Sequence, residues 1–235
     1  SSQSNAMRHF MTDESLKRIQ TDSSIYRFSN QDSYAKGQEI LHLFGQSQDQ
    51  LISKIISNRT TLRNHFLTIE KQRISETLFK KEEKNVERVL ENDHDFTFKI
   101  PYGFDLAKNE NVFVYFAPYT SKEPFDDPVE FRESITSKKM RDVEKPDVYM
   151  TTQDVPHQVQ EVNFNGKYAK ETRGLWKLSD ISGGGAFVSY VFVDESQKRM
   201  YYLEGYAYAP SKDKREFMRE IEVILSTFKS GKELK

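Results

Sequence analysis

Cysteine is absent from the 235 residues, which excludes disulfides, thiolate nucleophiles and cysteine-ligated metals. No run approaches the roughly 18 consecutive apolar residues that a membrane-crossing helix needs. Charge of one sign is lacking as well. Thirty-five Lys and Arg against 36 Asp and Glu leave a formal net charge of -1, so no overall field draws nucleic acid or an anionic membrane. The five histidines, at 9, 42, 65, 94 and 157, are scattered without metal-ligand spacing. Ser182 and Ser189 sit in no G-x-S-x-G elbow. Sequence motifs therefore nominate no catalytic residue, no metal ligand and no cofactor.

What is present is aromatic and periodic. Seventeen Phe and twelve Tyr bury large areas per residue in a chain that is otherwise polar. Gln158–Phe164, Tyr168–Leu178, Ala186–Val193 and Arg199–Ala209 read as strands, and Lys212–Lys229 as an amphipathic helix. Asn165-Gly166 separates the first two strands, and that pair favours a type I′ hairpin turn because both central residues need positive φ.

Upstream, Arg8–Ser24 is polar, with a weak helical piece at Asp13–Gln20. Gln38–Phe44 alternates as a strand and Gly45 ends it. Ser47-Gln48-Asp49-Gln50 matches a capping box at a helix start. The helix that follows should run at least to Ile74, burying Ile52, Ile55, Phe66 and Ile69 against the sheet. A second helical segment is expected at Glu82–Leu90, and strands at Phe96–Ile100, Asn111–Ala117 and Val148–Gln153. Between Asn111–Ala117 and Val148–Gln153, Pro118 to Asp127 reads as a loop and Val129–Arg141 as a helix, capped by Asp126 or Asp127 with Pro128 at its first position. Short strand-to-strand links require antiparallel neighbours, and segregated helices argue an α+β fold, not a doubly wound one. The expected architecture is a mostly antiparallel sheet with a long helix near the N-terminus and an amphipathic C-terminal helix. The expected organisation is a tag remnant (1–6), a flexible leader (7–24), one α+β domain (25–231) and a tail (232–235).

Gly183-Gly184-Gly185 invites a phosphate-loop reading, but a strand follows it instead of a helix, so a hairpin loop or bulge is preferred. Glu171 and Arg173 alternate onto one strand face. With Trp176, and with Glu204 and Tyr206 from a nearby strand, they are the candidate ligand-binding residues: a guanidinium for an anion and an indole for stacking. The alternative is a cross-strand ion pair with Trp176 in the core.

The same stretch carries a resemblance. Asn165–Ala169, Arg173–Trp176, Gly183–Ser189 and Glu204–Arg215, with Tyr34–Gln38 and Phe113–Tyr119 upstream, are similar to a family of Bacteroidetes cell-envelope lipoproteins, the domain of unknown function 4837. The likeness covers most of Ile25–Lys229 and implies no activity. It implies a longer chain, with a lipoprotein signal, an acylated cysteine and a further N-terminal α/β portion upstream of this sequence. On that basis the protein is expected in the cell envelope, touching a membrane only through a lipid anchor, with a protein partner or homo-oligomer open. The favoured function is a non-catalytic binding or assembly module. The alternative is a hydrolase-type enzyme using strand-borne carboxylates such as Glu171 and Glu204.

Overall fold

The Asn165-Gly166 turn forms as its sequence requires, with φ of 50° and 82°, and it opens the central sheet of the protein. The computed structural model describes residues 11–22, 24–104 and 123–234. The expected strand Asn111–Ala117 and the similarity at Phe113–Tyr119 lie outside them. The chain divides into two compact units, Ser1–Glu70 and Lys71–Lys235.

In the first unit, helix α1 (Asp13–Thr21) is capped by Thr12, and Met11 and Leu16 pack with Phe44. Strands β1 (Arg27–Gln31) and β2 (Glu39–Leu43) pair antiparallel; β1 was not anticipated, its polar sequence RFSNQ carrying little apolar alternation. Helix α2 (Gln48–Ser57) starts at the Ser47 cap, which accepts from the Gln50 N–H at 3.2 Å. The Gln50 side chain reaches back to the Gln46 N–H at 2.5 Å. The helix breaks at Asn58, whose side-chain amide donates to the Lys54 carbonyl at 2.8 Å and competes with the helical ladder. Helix α3 (Arg59–Leu78) resumes at once and carries the chain into the second unit. The expected burial fails here. Ile52, Ile55 and Phe66 are exposed and Ile69 is half-buried, whereas Leu62 is buried. The helical period is present, but of the residues at that spacing only Leu62 is buried.

The second unit begins with helix α4 (Lys84–His94), closed by Asp95 in the left-handed region. Strand β3 is only Phe96–Thr97, shorter than the expected Phe96–Ile100. Part of the expected loop at 118–127 is instead a helical turn, α5 (Glu123–Asp126). Helix α6 (Pro128–Lys139) has Pro128 in its first turn, and Asp127 caps it by accepting from the N–H groups of Val129 and Glu130 at 3.1 and 2.9 Å.

The main sheet has five strands: β4 (Met150–Thr152), β5 (Gln158–Phe164), β6 (Lys167–Leu178), β7 (Gly184–Asp194) and β8 (Arg199–Ala207). All pairings are antiparallel, in the order β4-β6-β7-β8, and β5 lies beside the first half of β6. The expected meander is therefore present, and the fold is α+β. Helix α7 (Arg215–Leu225) follows, starting later and ending earlier than the expected Lys212–Lys229. The chain then adds strand β9 (Lys229–Ser230) against β3.

The core lies on one sheet face. Ala169, Val188, Tyr190, Phe192, Tyr201 and Leu203 pack there with Leu225 and Phe228. Gly205 lets α7 approach, since a Cβ on it would lie 2.1 Å from Ile221 Cγ2. A smaller cluster, Met150, Trp176 and Phe187, lies apart from it.

Candidate functional site

Register assigns each candidate residue to a face. Thr172, Ser189 and Glu204 are successive cross-strand partners, so Glu204, Tyr206, Phe187 and Trp176 share the α6 face. Glu171 pairs with Tyr190 and Arg173 with Val188, which puts Glu171 and Arg173 on the α7 face. The five sequence candidates are therefore not one cluster. Period-two alternation separates positions 171 and 173 from 176, and the sheet lies between them.

On the α7 face, Arg173 grips Glu171 through Nε (2.6 Å) and Nη2 (3.0 Å), and a second carboxylate, Glu222 of α7, meets its Nη1. Gln160 donates to Glu171 at 2.6 Å. Burial pushes the Glu171 carboxyl up, but the hydrogen bonds and charge of Arg173 outweigh it and hold the group below its usual value. Tyr190 beside it is pushed up by burial and by the Glu171 charge. The Arg173 side chain keeps 32% exposure.

On the α6 face the ionic group is Arg132, which the sequence did not single out. Its side chain is fully enclosed, with Glu204 at 2.9 Å from Nε and 2.7 Å from Nη2, Thr152 Oγ1 at 2.8 Å from Nη1, and the Phe187 ring centre 3.8 Å from the guanidinium carbon. Tyr202 donates to Glu204 as well, and its hydroxyl is raised well above the usual value by burial and then by the Glu204 charge. Glu133, one residue on, accepts from the Thr152 N–H at 2.9 Å and hydroxyl at 2.8 Å, and from the Thr151 hydroxyl. Local patterning could not have marked Arg132, because its partners lie 18 to 72 residues away. The one usable signal was a lone arginine beside Phe131 in the helix.

Trp176 is 4% exposed, packed with Met150 and Phe187, and its indole N–H has no hydrogen-bond partner among the described residues. Tyr206 meets it edge-on at 5.5 Å and is 43% exposed. The glycine triplet is explained by this packing. A Cβ on Gly185 would lie 1.9 Å from the Ala207 carbonyl oxygen and 3.1 Å from Trp176 Nε1, and Gly184 already belongs to β7. Close strand approach requires Gly184 and Gly185, which are regularly paired residues of β7 without positive φ. Only Gly183 falls in the loop before it, so neither a positive φ nor a bulge accounts for the triplet.

Clefts open elsewhere. One of about 740 Å³ is lined by Phe125, Tyr168, Lys167, Asp194 and Lys232, among others. Two of its charges are held internally, Lys167 by Glu233 at 2.6 Å and Asp194 by the hydroxyls of Ser196 and Ser230, both at 2.7 Å. A neighbouring cleft of about 570 Å³ runs along α4 and the segment after α7. Neither is lined by any of the five candidates. Among the described residues no group of three or more His, Asp or Glu could hold a metal ion, and no helix is long and apolar enough to cross a membrane.

Comparison with curated proteins and with solved structures returns no match. A family model, Domain of unknown function (DUF4837), matches residues 106–227, more than half of the chain. The match takes in the α6 helix, the whole meander and α7, so the chain belongs to the DUF4837 family.

Proposed function

We propose that the protein is a non-catalytic binding or assembly module of the bacterial cell envelope. It is held there by a lipid anchor on a preceding segment. The likeness to Bacteroidetes envelope lipoproteins supports the location. The observation that carries the non-catalytic reading is the fate of the two strand-borne carboxylates. Glu171 and Glu204 lie on opposite faces of the sheet, each clamped by its own arginine. Acid–base catalysis by a carboxylate pair needs both groups facing one substrate, so the hydrolase alternative is disfavoured.

Between binding and assembly, the burial of Trp176 favours assembly. A stacking platform must offer its ring, and this ring is covered. If a small ligand is bound, the parts open to it are Tyr206 on one face and Arg173 on the other, with Trp176, Glu204 and Glu171 as their supports.

Trp176 is the only tryptophan, which makes the test direct. Acrylamide quenching and a small-molecule library should leave its fluorescence unchanged, and generic esterase, amidase and glycosidase substrates should not turn over. Turnover lost in a Glu171→Gln or Glu204→Gln variant would overturn the reading. The location is tested separately, by fractionation and palmitate labelling of the full-length protein in its own cell. Recovery in the soluble cytoplasmic fraction without label would exclude the envelope.

A further inference from the structure

The exposed stripe on α2 and α3 combines two features that seldom occur together. From Gln50 to Ile69 the chain carries Lys54, Arg59 and Arg63 but no Asp or Glu. The same stretch exposes Ile52, Ile55, Ile56 (63%), Phe66 (49%) and Leu67. Ile52 and Ile56 lie four apart on α2, and beyond the break at Asn58, Arg59, Arg63 and Phe66 recur at four- and three-residue steps on α3. In chain order these exposed residues read apolar, basic, basic, apolar.

Other side chains of the two helices turn inward. Leu62, three residues after Arg59 and four before Phe66, is buried, His65 Nε2 lies 3.0 Å from Glu39 Oε1 of β2, and Lys54 sits over the Tyr26 ring at 6.0 Å. Arg59 and Arg63 are exposed and have no carboxylate partner among the described residues.

We infer that this stripe is a docking surface for an anionic phospholipid bilayer. Such a surface offers apolar depth for Ile52, Ile56, Phe66 and Leu67 together with phosphates for the two arginines. An interfacial amphipathic helix uses both, burying its apolar side chains shallowly while long basic side chains stay at the headgroups. The overall charge of -1 does not oppose this, because screening confines the field to about 8 Å at physiological salt. A second copy of the chain fits less well. Two-fold pairing about the middle of the stripe would set Arg59 of each copy against Arg63 of the other, and facing like charges disfavour that contact. The inference goes beyond the envelope assignment and needs no anchor, so it is tested on the chain without one.

The experiment is flotation with vesicles of phosphatidylcholine alone and of phosphatidylcholine with an equal part of phosphatidylglycerol. The chain should float with the anionic vesicles only and be released at about 1 M salt, where the screening length falls to about 3 Å. Arg59→Gln with Arg63→Gln should weaken partitioning about thirty-fold, since two surface cations are lost. Ile56→Ser with Phe66→Ser should abolish it, while circular dichroism confirms that each variant keeps its helices. No flotation, or equal flotation with neutral vesicles, would overturn the inference. So would sedimentation of the lipid-free chain as a dimer that Ile56→Ser with Phe66→Ser dissolves, because the surface would then belong to a second copy.

Discussion

Arg132 and Glu204 form a two-point ion pair inside the α6 face of the sheet, and their side chains keep 0% and 4% of their exposure. The sheet strand and the helix that supply them are 72 residues apart in sequence. Removing one partner of such a pair leaves a buried charge with no counterion. Arg132→Ala is expected to cost about 3–5 kcal/mol, read as a lower urea midpoint at unchanged slope. The double variant Arg132→Met with Glu204→Leu should recover most of that loss, because the desolvation of both charges is removed together. If the double variant is as unstable as the single one, Tyr202 and Thr152 depend on the charges more than the pair geometry implies.

The strands of the main sheet, the Asn165-Gly166 turn and the Asp127 cap could be read directly from residue order. Each depends on neighbours within four positions: alternation, positive φ, or a side chain reaching its own helix start. What could not be read is which residues face each other across the fold. Glu171, Arg173 and Trp176 are close in sequence yet divided between two faces, and Arg132 reaches Glu204 with no local trace. The isoleucines of α2 show the same limit. Their spacing defines a helix, but amphipathic spacing alone cannot say whether an apolar side is covered.

Acid should destabilise the protein through Glu171 and Asp194. Both carboxyls are pushed up by burial yet end below their usual values, Glu171 through Arg173 and Asp194 through Ser196 and Ser230. A depressed folded value means the stabilisation is present above the unfolded value, near pH 4, and is lost as pH falls through the folded value. Urea midpoints should therefore be level from neutrality to about pH 5 and then fall. Glu171→Gln should be less stable than the parent at neutral pH and show a shallower acid limb. An acid limb as steep as the parent's would assign the effect to other carboxylates.

Gly205 and Gly185 test the packing in different ways. A methyl at 205 meets the Ile221 side chain, whereas a methyl at 185 meets the backbone oxygen of Ala207. Overpacking against a side chain typically costs about 1–3 kcal/mol, and shrinking that side chain should return part of it. Gly205→Ala should therefore be partly rescued by Ile221→Ala, which removes the Cγ2 that the new methyl meets. Gly185→Ala should be the more damaging change and should not be rescued by any single side-chain truncation, because strand β8 itself is in the way. Equal, mild effects at the two sites would mean that β7 and β8 can shift apart at Gly185.

Phe66 and Phe228 are the same residue in opposite circumstances. Phe66 stands 49% exposed on α3, against 2% for Phe228, whose ring meets those of Phe96, Phe98, Phe192 and Tyr201 at 5.8, 5.3, 5.3 and 4.9 Å. Truncating a buried phenylalanine costs about 3–5 kcal/mol, through lost transfer energy and the cavity left behind. Phe228→Ala should fall in that range and lower the thermal midpoint sharply. At Phe66 little area is removed from water in the first place, so Phe66→Ala should stay within about 0.5 kcal/mol of the parent, as surface substitutions do. The pair separates two accounts of the helix. A large loss at Phe66 in the isolated chain would mean that its apolar stripe supports the fold and is not a surface kept free for a partner.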